Sequence, residues 1–188
     1  MLRAFMPALV SLAFCQAATA NVSGTLTYSY YVATAKPGTA ISAALNQASP
    51  FRQGGKVFHA YTKWYVNWHY HWNEQPDGSC RMDDVQVALD STIHLPALVN
   101  ESDEQHTRFM TYLLALRRHE LGHVDFGKQA ARAIDAGILS LPEMRSCAEL
   151  ESAGNRLGNR MLDQFRHQEF EYDVTTGHGK TQGARLDN

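Results

Sequence analysis

The chain contains 188 residues, 44% of them hydrophobic and 19% charged, an ordinary globular composition that excludes collagen-like, coiled-coil and disordered proteins. Its length suits a single domain. The formal net charge is −2, with no basic stripe and no apolar stretch long enough for a permanent membrane span, so we expect neither a dedicated nucleic-acid-binding protein nor a membrane-spanning one.

The first element in chain order is an export signal. Arg3 is followed by an apolar stretch over residues 5–14 and by Ala18-Thr19-Ala20, the A-x-A pattern of a signal-peptidase site. We therefore predict a signal peptide over residues 1–20. The mature domain, residues 21–188, is then expected in the periplasm or outside the cell.

Removal of this signal leaves Cys80 and Cys147 as the cysteines of the mature chain. Two thiols in an exported protein favour one disulfide over a pair of free reactive cysteines. The bridge would join positions 67 residues apart, and the chain-entropy model assigns it roughly 4 kcal/mol of stabilisation.

The first half of the mature chain reads as strands with one short helix. Residues 25–33 are rich in β-branched and aromatic types and predict a strand, and residues 39–47 predict a helix. A long strand over 57–72 follows, and another over 81–95 is expected to end at Pro96. Within 57–72 one set of side chains shares a face, which favours an antiparallel sheet with one face in the core: Trp64, Val66, Trp68, Tyr70 and Trp72.

The second half changes to a helical period. The capping box Ser102-x-x-Gln105 predicts a helix to about residue 134, and Ser140-x-x-Glu143 predicts a second one to about residue 168. Residues 172–188 form a polar, glycine-rich tail. Strands first and helices second predict an α+β fold, with an N-terminal antiparallel sheet packed against two long C-terminal helices.

The segment His119-Glu120-Leu121-Gly122-His123 carries the chemistry. Residues four apart on a helix lie one turn above each other, so both imidazoles can bind one metal ion. Glu120 projects beside them, where it can take a proton from water on that ion. This is the H-E-x-x-H pattern of zinc hydrolases, and it predicts His119 and His123 as Zn²⁺ ligands and Glu120 as the general base.

A catalytic zinc ion normally has a third protein ligand. The extended pattern with a histidine six residues after His123 is excluded, because that position is Gln129. A carboxylate from the following helix is one alternative, and the candidates there are Glu143, Glu149 and Glu151.

The tail provides stronger candidates for the third ligand. His178 lies between two glycines that allow a sharp bend, and we predict it as the third zinc ligand. Asp173 is the alternative ligand or a group that orients a ligating imidazole. Tyr172 has a phenol that could donate a hydrogen bond to a developing oxyanion, and we predict a catalytic role for it.

Other features have weaker interpretations. His69 and His71 share one face of the long strand and form a possible second metal pair, although such pairs are more often polar filling. Gly122 and Gly127 cost helix stability, and each could allow a neighbouring strand or loop to approach closely. The remaining isolated histidines are expected at the surface: His59, His94, His106 and His167.

A family resemblance is spread along the chain, in the segments Tyr30-Tyr31-Val32, Trp64-Tyr65-Val66-Asn67-Trp68, Cys80, Ile93-His94-Leu95-Pro96, His119-Glu120-Leu121-Gly122-His123, Cys147, Tyr172-Asp173, Thr176-Gly177-His178-Gly179 and Gln182-Gly183-Ala184. Together these resemble a family of exported bacterial proteins of uncharacterised function, described as predicted zinc-dependent proteases. The resemblance implies a zincin-like fold, in which a strand beside the active-site helix pairs with extended substrate. It supplies no substrate.

These observations predict an exported zinc metallopeptidase that acts on a peptide or protein. The strand ending at Leu95 is expected to align the substrate by main-chain pairing. Two alternatives stay open. One is a zinc-containing binding or assembly module of the cell envelope without activity, whose metal site would be closed by a fourth ligand such as His71 or Asp173. The other is a zinc hydrolase of a non-peptide envelope amide.

Overall fold

The computed structural model describes residues 22–186, so the predicted signal peptide over 1–20 lies outside the described residues. The chain forms a mixed α+β fold with a sheet in its N-terminal half and a largely helical C-terminal half. In chain order the elements are β1 (Val22–Thr34), α1 (Ile41–Ala48), β2 (Phe51–Gln53), β3 (Lys56–Phe58), β4 (Tyr61–Glu74), β5 (Cys80–Val99), α2 (Asp103–Leu139), α3 (Cys147–Thr176) and a short 3₁₀ helix (Lys180–Gln182).

The main sheet has three strands in the order β1-β5-β4, so β5 is the central strand. β4 runs antiparallel to β5, but β1 runs parallel to it, and Ile93 pairs with Thr62 on one side and Tyr28 on the other. The expectation of a purely antiparallel sheet is therefore wrong. The segment through α1 and the β2–β3 hairpin leads into β4, which runs opposite to β1, and the turn after β4 reverses the chain again, so that β5 runs in the same direction as β1.

The predicted strand over 57–72 is interrupted near its start. Gly54 and Gly55 adopt φ of 56° and 76° and turn β2 into β3, which is the conformation that a two-residue hairpin requires. β4 begins only after this hairpin. Within β4 the predicted alternation is confirmed where it meets the helices, since Trp64 and Val66 are buried while Tyr65 between them is 60% exposed.

The sequence predicted that this strand would end at Pro96, but β5 continues to Val99. Its pairing with β4 ends at His94, so Pro96 lies where β5 is bonded to β1 alone. A strand with a neighbour on one side tolerates the missing N–H of proline. Over residues 87–94 β5 is bonded to β1 on one side and to β4 on the other, so this stretch has no free edge for pairing with a substrate.

α2 begins at the predicted capping box. The Ser102 side chain accepts a hydrogen bond from the Gln105 backbone N–H, and the Gln105 side chain accepts one from the Ser102 N–H. The helix extends to Leu139, further than predicted, because Gly137 is accommodated inside it. Gly127 allows the close approach that we predicted, since a Cβ there would lie 3.0 Å from atoms of Trp64 and Leu89.

α3 differs from the prediction at both ends. Ser140-x-x-Glu143 is not a capping box, because Met144 pairs with Cys80 through two backbone hydrogen bonds and keeps this segment extended. The cap is Ser146, whose side chain accepts from the Glu149 N–H. The helix then continues to Thr176, so the segment that we expected as a tail is helical and places Tyr172 and Asp173 on α3.

The core lies between one face of the sheet and the helices. Fully buried side chains come from every layer, among them Ile93 of β5, Ile134 and Ile138 of α2 and Leu150 of α3. The predicted disulfide between Cys80 and Cys147 is present and joins the start of β5 to the start of α3. Among the helices in residues 22–186, none combines the length and apolarity that a membrane crossing requires.

Candidate metal centre

Three potential ligand atoms from α2 and α3 converge at one point. His119 Nε2 lies 3.2 Å from His123 Nε2, and Asp173 Oδ1 lies 3.0 Å from the first and 3.2 Å from the second. Both imidazoles are buried and the carboxylate is half-buried. The two helices run antiparallel here, since α2 residues 119 and 123 meet α3 residues 173 and 169.

These distances fit a metal ion. Ligands held at about 2.0–2.1 Å around a tetrahedral zinc ion lie about 3.3 Å from each other. The three pairs of donor atoms, separated by 3.0–3.2 Å, are close to that value. Two imidazole nitrogens and one carboxylate oxygen are also a donor set that zinc accepts. The residues present therefore fit the ion that the H-E-x-x-H pattern implies.

The outer nitrogens of both imidazoles are held by acceptors. His119 Nδ1 lies 3.0 Å from Gln182 Oε1, and His123 Nδ1 lies 2.9 Å from Glu169 Oε1. An Nδ1–H that donates to oxygen leaves Nε2 with its lone pair directed at the centre, which is the tautomer a metal ligand needs. Trp64 donates to the same Glu169 oxygen at 3.0 Å and fixes that carboxylate in turn.

The site is electrostatically suited to a cation. Burial alone would lower the pKa of His123, but hydrogen bonds to Asp173 and Glu169, together with the nearby carboxylate of Glu120, raise it to about 10. Burial likewise opposes ionisation of Asp173, yet hydrogen bonds with His119 and His123 hold its pKa well below the usual range. The two pKa shifts favour positive charge on His123 and negative charge on Asp173, so the cluster stabilises a bound positive charge.

Glu120 lies beside the cluster and is 4% exposed. Its Oε2 accepts a hydrogen bond of 2.6 Å from the hydroxyl of Thr62, the second residue of β4. Burial raises the pKa of the Glu120 carboxyl, and this outweighs the opposite effects of His123 and of the Thr62 hydroxyl. A carboxylate with a raised pKa is a better proton acceptor than an exposed one.

Tyr172, which is on α3, lies against the two histidines of α2. Its ring stacks on His119 with 4.9 Å between centroids and 10° between planes, and it meets His123 edge-on. Its hydroxyl donates to the His119 carbonyl at 3.2 Å and contacts the Gln182 side chain. Gly122 makes this position possible, since a Cβ there would lie 2.2 Å from the hydroxyl oxygen. The neighbour that Gly122 admits is thus a side chain of α3 and not the strand or loop that we expected.

His178 follows the end of α3 in a sharp bend. Gly177, His178 and Gly179 all have positive φ, of 58°, 54° and 82°, which agrees with the predicted turn. The His178 ring contacts Phe58 edge-on, and its Nδ1 lies 3.3 Å from Asp173 Oδ1. The structure thus brings His178 to the cluster through Asp173, while the three atoms that converge belong to His119, His123 and Asp173.

The other candidate ligands lie elsewhere. Glu143, Glu149 and Glu151 are exposed near the start of α3, and even Glu151 is about 33 Å along the helix axis from Asp173. His69 and His71 are exposed on β4, and His71 approaches Asp84 at 4.0 Å.

His59 was expected at the surface, but it forms part of the wall of the cleft described below. It is half-buried, with Nδ1 2.7 Å from the Tyr112 hydroxyl and Nε2 2.9 Å from Asn46 Oδ1. Burial lowers its pKa to about 4.

The cluster opens into a cleft of about 1020 Å³. Its walls come from the β2–β3 hairpin, the start of β4, α2, α3 and the segment that follows α3. Both proposed histidines, Glu120, Asp173 and His178 line it, whereas Tyr172 does not. A cleft of this size accommodates several residues of an extended chain or a small molecule.

A comparison with protein families matches residues 28–179 to DUF922, described as bacterial proteins of unknown function. The chain belongs to the DUF922 family. The match begins in β1 and ends at Gly179, so it includes the sheet, both long helices and every residue of the cluster. No curated protein and no solved structure matches the chain.

Three residues of the candidate site were not predicted from the sequence. They are Thr62, which holds Glu120, and Glu169 and Gln182, which hold the outer nitrogens of the histidines. Glu169 lies four residues before Asp173, one helical turn away, so a helix extended through residue 173 would have placed both carboxylates on one face. Nothing in the local sequence marks Thr62, and Gln182 was noted only within a segment that carries the family resemblance, with no role assigned.

Proposed function

We propose that this protein is an exported zinc-dependent hydrolase that cleaves peptide bonds. The observation that carries the proposal is the convergence of His119 Nε2, His123 Nε2 and Asp173 Oδ1 within 3.0–3.2 Å of one another, at the wall of a cleft and beside a buried glutamate. The family resemblance to predicted zinc-dependent proteases supports the same activity. The zincin-like character of the active-site helix is part of this proposal.

His119, His123 and Asp173 would hold the zinc ion, and His178 would orient Asp173 through its contact of 3.3 Å. Asp173, and not His178, is therefore the third ligand that we propose. Bound zinc supplies Lewis acidity, which polarises a substrate carbonyl and lowers the pKa of water towards 7. Gln182 and Glu169 keep both imidazoles in the required tautomer.

Glu120 acts as the general base. Its Oε2 is occupied by the Thr62 hydroxyl, so Oε1 would receive the proton of the attacking water and later pass it to the leaving amine. The fixed hydrogen bond restricts the carboxylate to one orientation, which reduces the cost of reaching the reactive geometry. Tyr172 positions His119 by stacking, since its hydroxyl is engaged with the His119 carbonyl and Gln182.

A peptide substrate would lie along the free edge of β4. Within the described residues β4 is an outer strand of the sheet, and its first residues, Tyr61 and Thr62, line the cleft. Backbone groups on an outer strand can pair with an extended chain. Such pairing would bring the substrate past Glu120, which is bonded to Thr62. The disulfide is consistent with an exported protein, as is the predicted signal peptide.

The test of the mechanism is Glu120→Gln in the mature protein. This variant should bind one zinc ion as tightly as wild type but lose at least about 10²-fold in hydrolysis, since a general base contributes about 10²–10⁴-fold. Glu171→Gln is the matched control, because Glu171 is exposed on the same helix as the third ligand and does not line the cleft. Full activity of Glu120→Gln would overturn the mechanism.

The ligand assignment is tested by zinc content and affinity of two further variants. Asp173→Ala should lose tight zinc binding, while His178→Ala should keep it with a modest loss of affinity. If instead His178→Ala loses tight zinc binding and Asp173→Ala keeps it, His178 is the third ligand. If wild-type protein binds zinc but hydrolyses no peptide, the remaining candidate functions are the envelope module and the non-peptide amide hydrolase. Profiling with non-peptide amides would separate these two.

A further inference from the structure

The charges around the cleft suggest which substrates it accepts. Four basic side chains line it from separate parts of the chain: Lys56 at the start of β3, Arg166 on α3, Lys180 in the 3₁₀ helix and Arg185 after it. All four are exposed. The chain as a whole has a formal charge of −2, so this arrangement does not reflect its overall composition.

The acidic residues that line the same cleft are Glu120, Glu169 and Asp173. Each is bound inside the metal cluster, since Glu120 accepts from Thr62, Glu169 contacts His123 and Asp173 contacts both ligand histidines. Their negative charge is directed at the imidazoles and the cation they are proposed to hold. In the outer part of the cleft, the electrostatic field therefore comes from the basic residues.

The basic residues do not contribute equally. Arg166 lies 3.6 Å from the exposed carboxylate of Asp163, which partly neutralises it. Arg185 donates to the backbone carbonyl of Lys180 at 2.9 Å, which fixes the two residues beside each other without using the charge. Within residues 22–186, neither Lys56 nor Lys180 takes part in an ion pair. The main positive field thus comes from Lys56 on one wall and from Lys180 and Arg185 on another.

We infer that the cleft selects peptides that carry carboxylate groups close to the bond to be cleaved. This inference rests on the proposed function, and it specifies the substrate class of the same site. A cleft lined by one sign of charge raises the local concentration of ligands with the opposite charge. The carboxylate could belong to acidic side chains or to a free C-terminus, since both present the same group to a lysine or an arginine.

The experiment measures binding without turnover, using zinc-loaded Glu120→Gln protein and short fluorescein-labelled peptides. One peptide is neutral with an amidated C-terminus, one has two glutamines of that sequence replaced by glutamates, and one is neutral with a free C-terminal carboxylate. Fluorescence anisotropy at low and at physiological ionic strength gives the Kd of each. We expect at least one anionic peptide to bind about fivefold more tightly than the neutral one, with a smaller difference at higher salt.

The anionic peptide that binds more tightly than the neutral one identifies whether the carboxylate belongs to acidic side chains or to a free C-terminus. The double variant Lys56→Gln/Lys180→Gln should remove most of this gain and leave the neutral peptide unchanged. Lys36→Gln/Lys128→Gln is the control with the same total charge, because both lysines are exposed and neither lines the cleft. Equal Kd values for the three peptides, an equal loss in the control, or no binding of any peptide would overturn the inference.

Failure of this inference is distinguishable from failure of the proposed function. A zinc-loaded wild-type protein that hydrolyses neutral and acidic peptides equally refutes the substrate class alone. Preferential binding of an anionic peptide, together with hydrolysis that persists in Glu120→Gln, refutes the proposed mechanism alone.

Discussion

Replacement of Gly122 by alanine tests how the metal ligands are held in place. A Cβ on Gly122 would lie 2.2 Å from the Tyr172 hydroxyl oxygen and 2.6 Å from Cζ of the same ring, so the tyrosine has to move. That ring stacks on His119. Its displacement therefore disturbs an imidazole that we propose as a zinc ligand.

The expected change in the free energy of unfolding is a balance of opposing effects. Alanine in place of a helical glycine stabilises by about 1 kcal/mol. Overpacking costs about 1–3 kcal/mol. The Tyr172 hydroxyl donates to the His119 carbonyl and accepts from Gln182 Nε2, and weakening these hydrogen bonds costs about 1 kcal/mol more. We expect Gly122→Ala to lose about 1–3 kcal/mol and to bind zinc about tenfold more weakly.

Gly154 on α3 is the matched control. A Cβ there would lie 3.5 Å from Tyr70 and 3.7 Å from Ile138, which is ordinary van der Waals contact, so Gly154→Ala should gain up to about 1 kcal/mol. Urea unfolding of the metal-free proteins measures stability, and competition with a chromophoric chelator measures zinc affinity. If both variants are equally stable and bind zinc like wild type, the close approach of Tyr172 does not support the ligands and the reasoning is refuted.

Further predictions concern the disulfide, His59 and Thr62. Replacement of Cys80 and Cys147 by serine should lower the free energy of unfolding by about 4 kcal/mol, and urea curves unaffected by reductant would contradict this. Because burial lowers the pKa of His59 from 6.5 to about 4, the unfolded chain binds more protons between these values and stability falls as the pH drops through them. His59→Gln should abolish on the order of 2 kcal/mol of that fall, measured by urea unfolding of metal-free protein at pH 7.5 and 4; identical pH dependence in both proteins would rule this out. Thr62→Val removes the donor to Glu120 and should reduce kcat about tenfold without changing zinc affinity, because an oriented hydrogen bond to a charged group is worth about 1.5–3 kcal/mol; Thr62→Ser should retain most of the activity, and wild-type kcat in Thr62→Val would show that the bond is not needed.

Local patterns were sufficient for the features that depend on a few neighbouring residues. The helical period alone places His119 and His123 one turn apart, and the capping box at Ser102 marks the start of their helix. The disulfide was predictable because removal of the predicted signal peptide would leave one pair of cysteines. None of these features depends on how the sheet is arranged.

The boundaries that the sequence misplaced were decided by tertiary contacts. Ser140 and Glu143 have the residue types of a cap, but the backbone of Met144 is bonded to Cys80 and prevents a helix there. At the other end α3 continues to Thr176 with a polar surface, because a helix that packs along one side needs few apolar residues.

The third ligand candidate and the partners around the histidines illustrate what the fold alone determines. Asp173 and His178 lie five residues apart in one segment, and the side chains of both can bind a metal. The sequence by itself favoured the histidine. Only the antiparallel packing of α3 on α2 brings Asp173 Oδ1 to within 3.2 Å of both imidazoles. A helix period reaches about four residues along the chain, whereas this contact joins residues 54 positions apart, so it is set by packing and not by any local pattern.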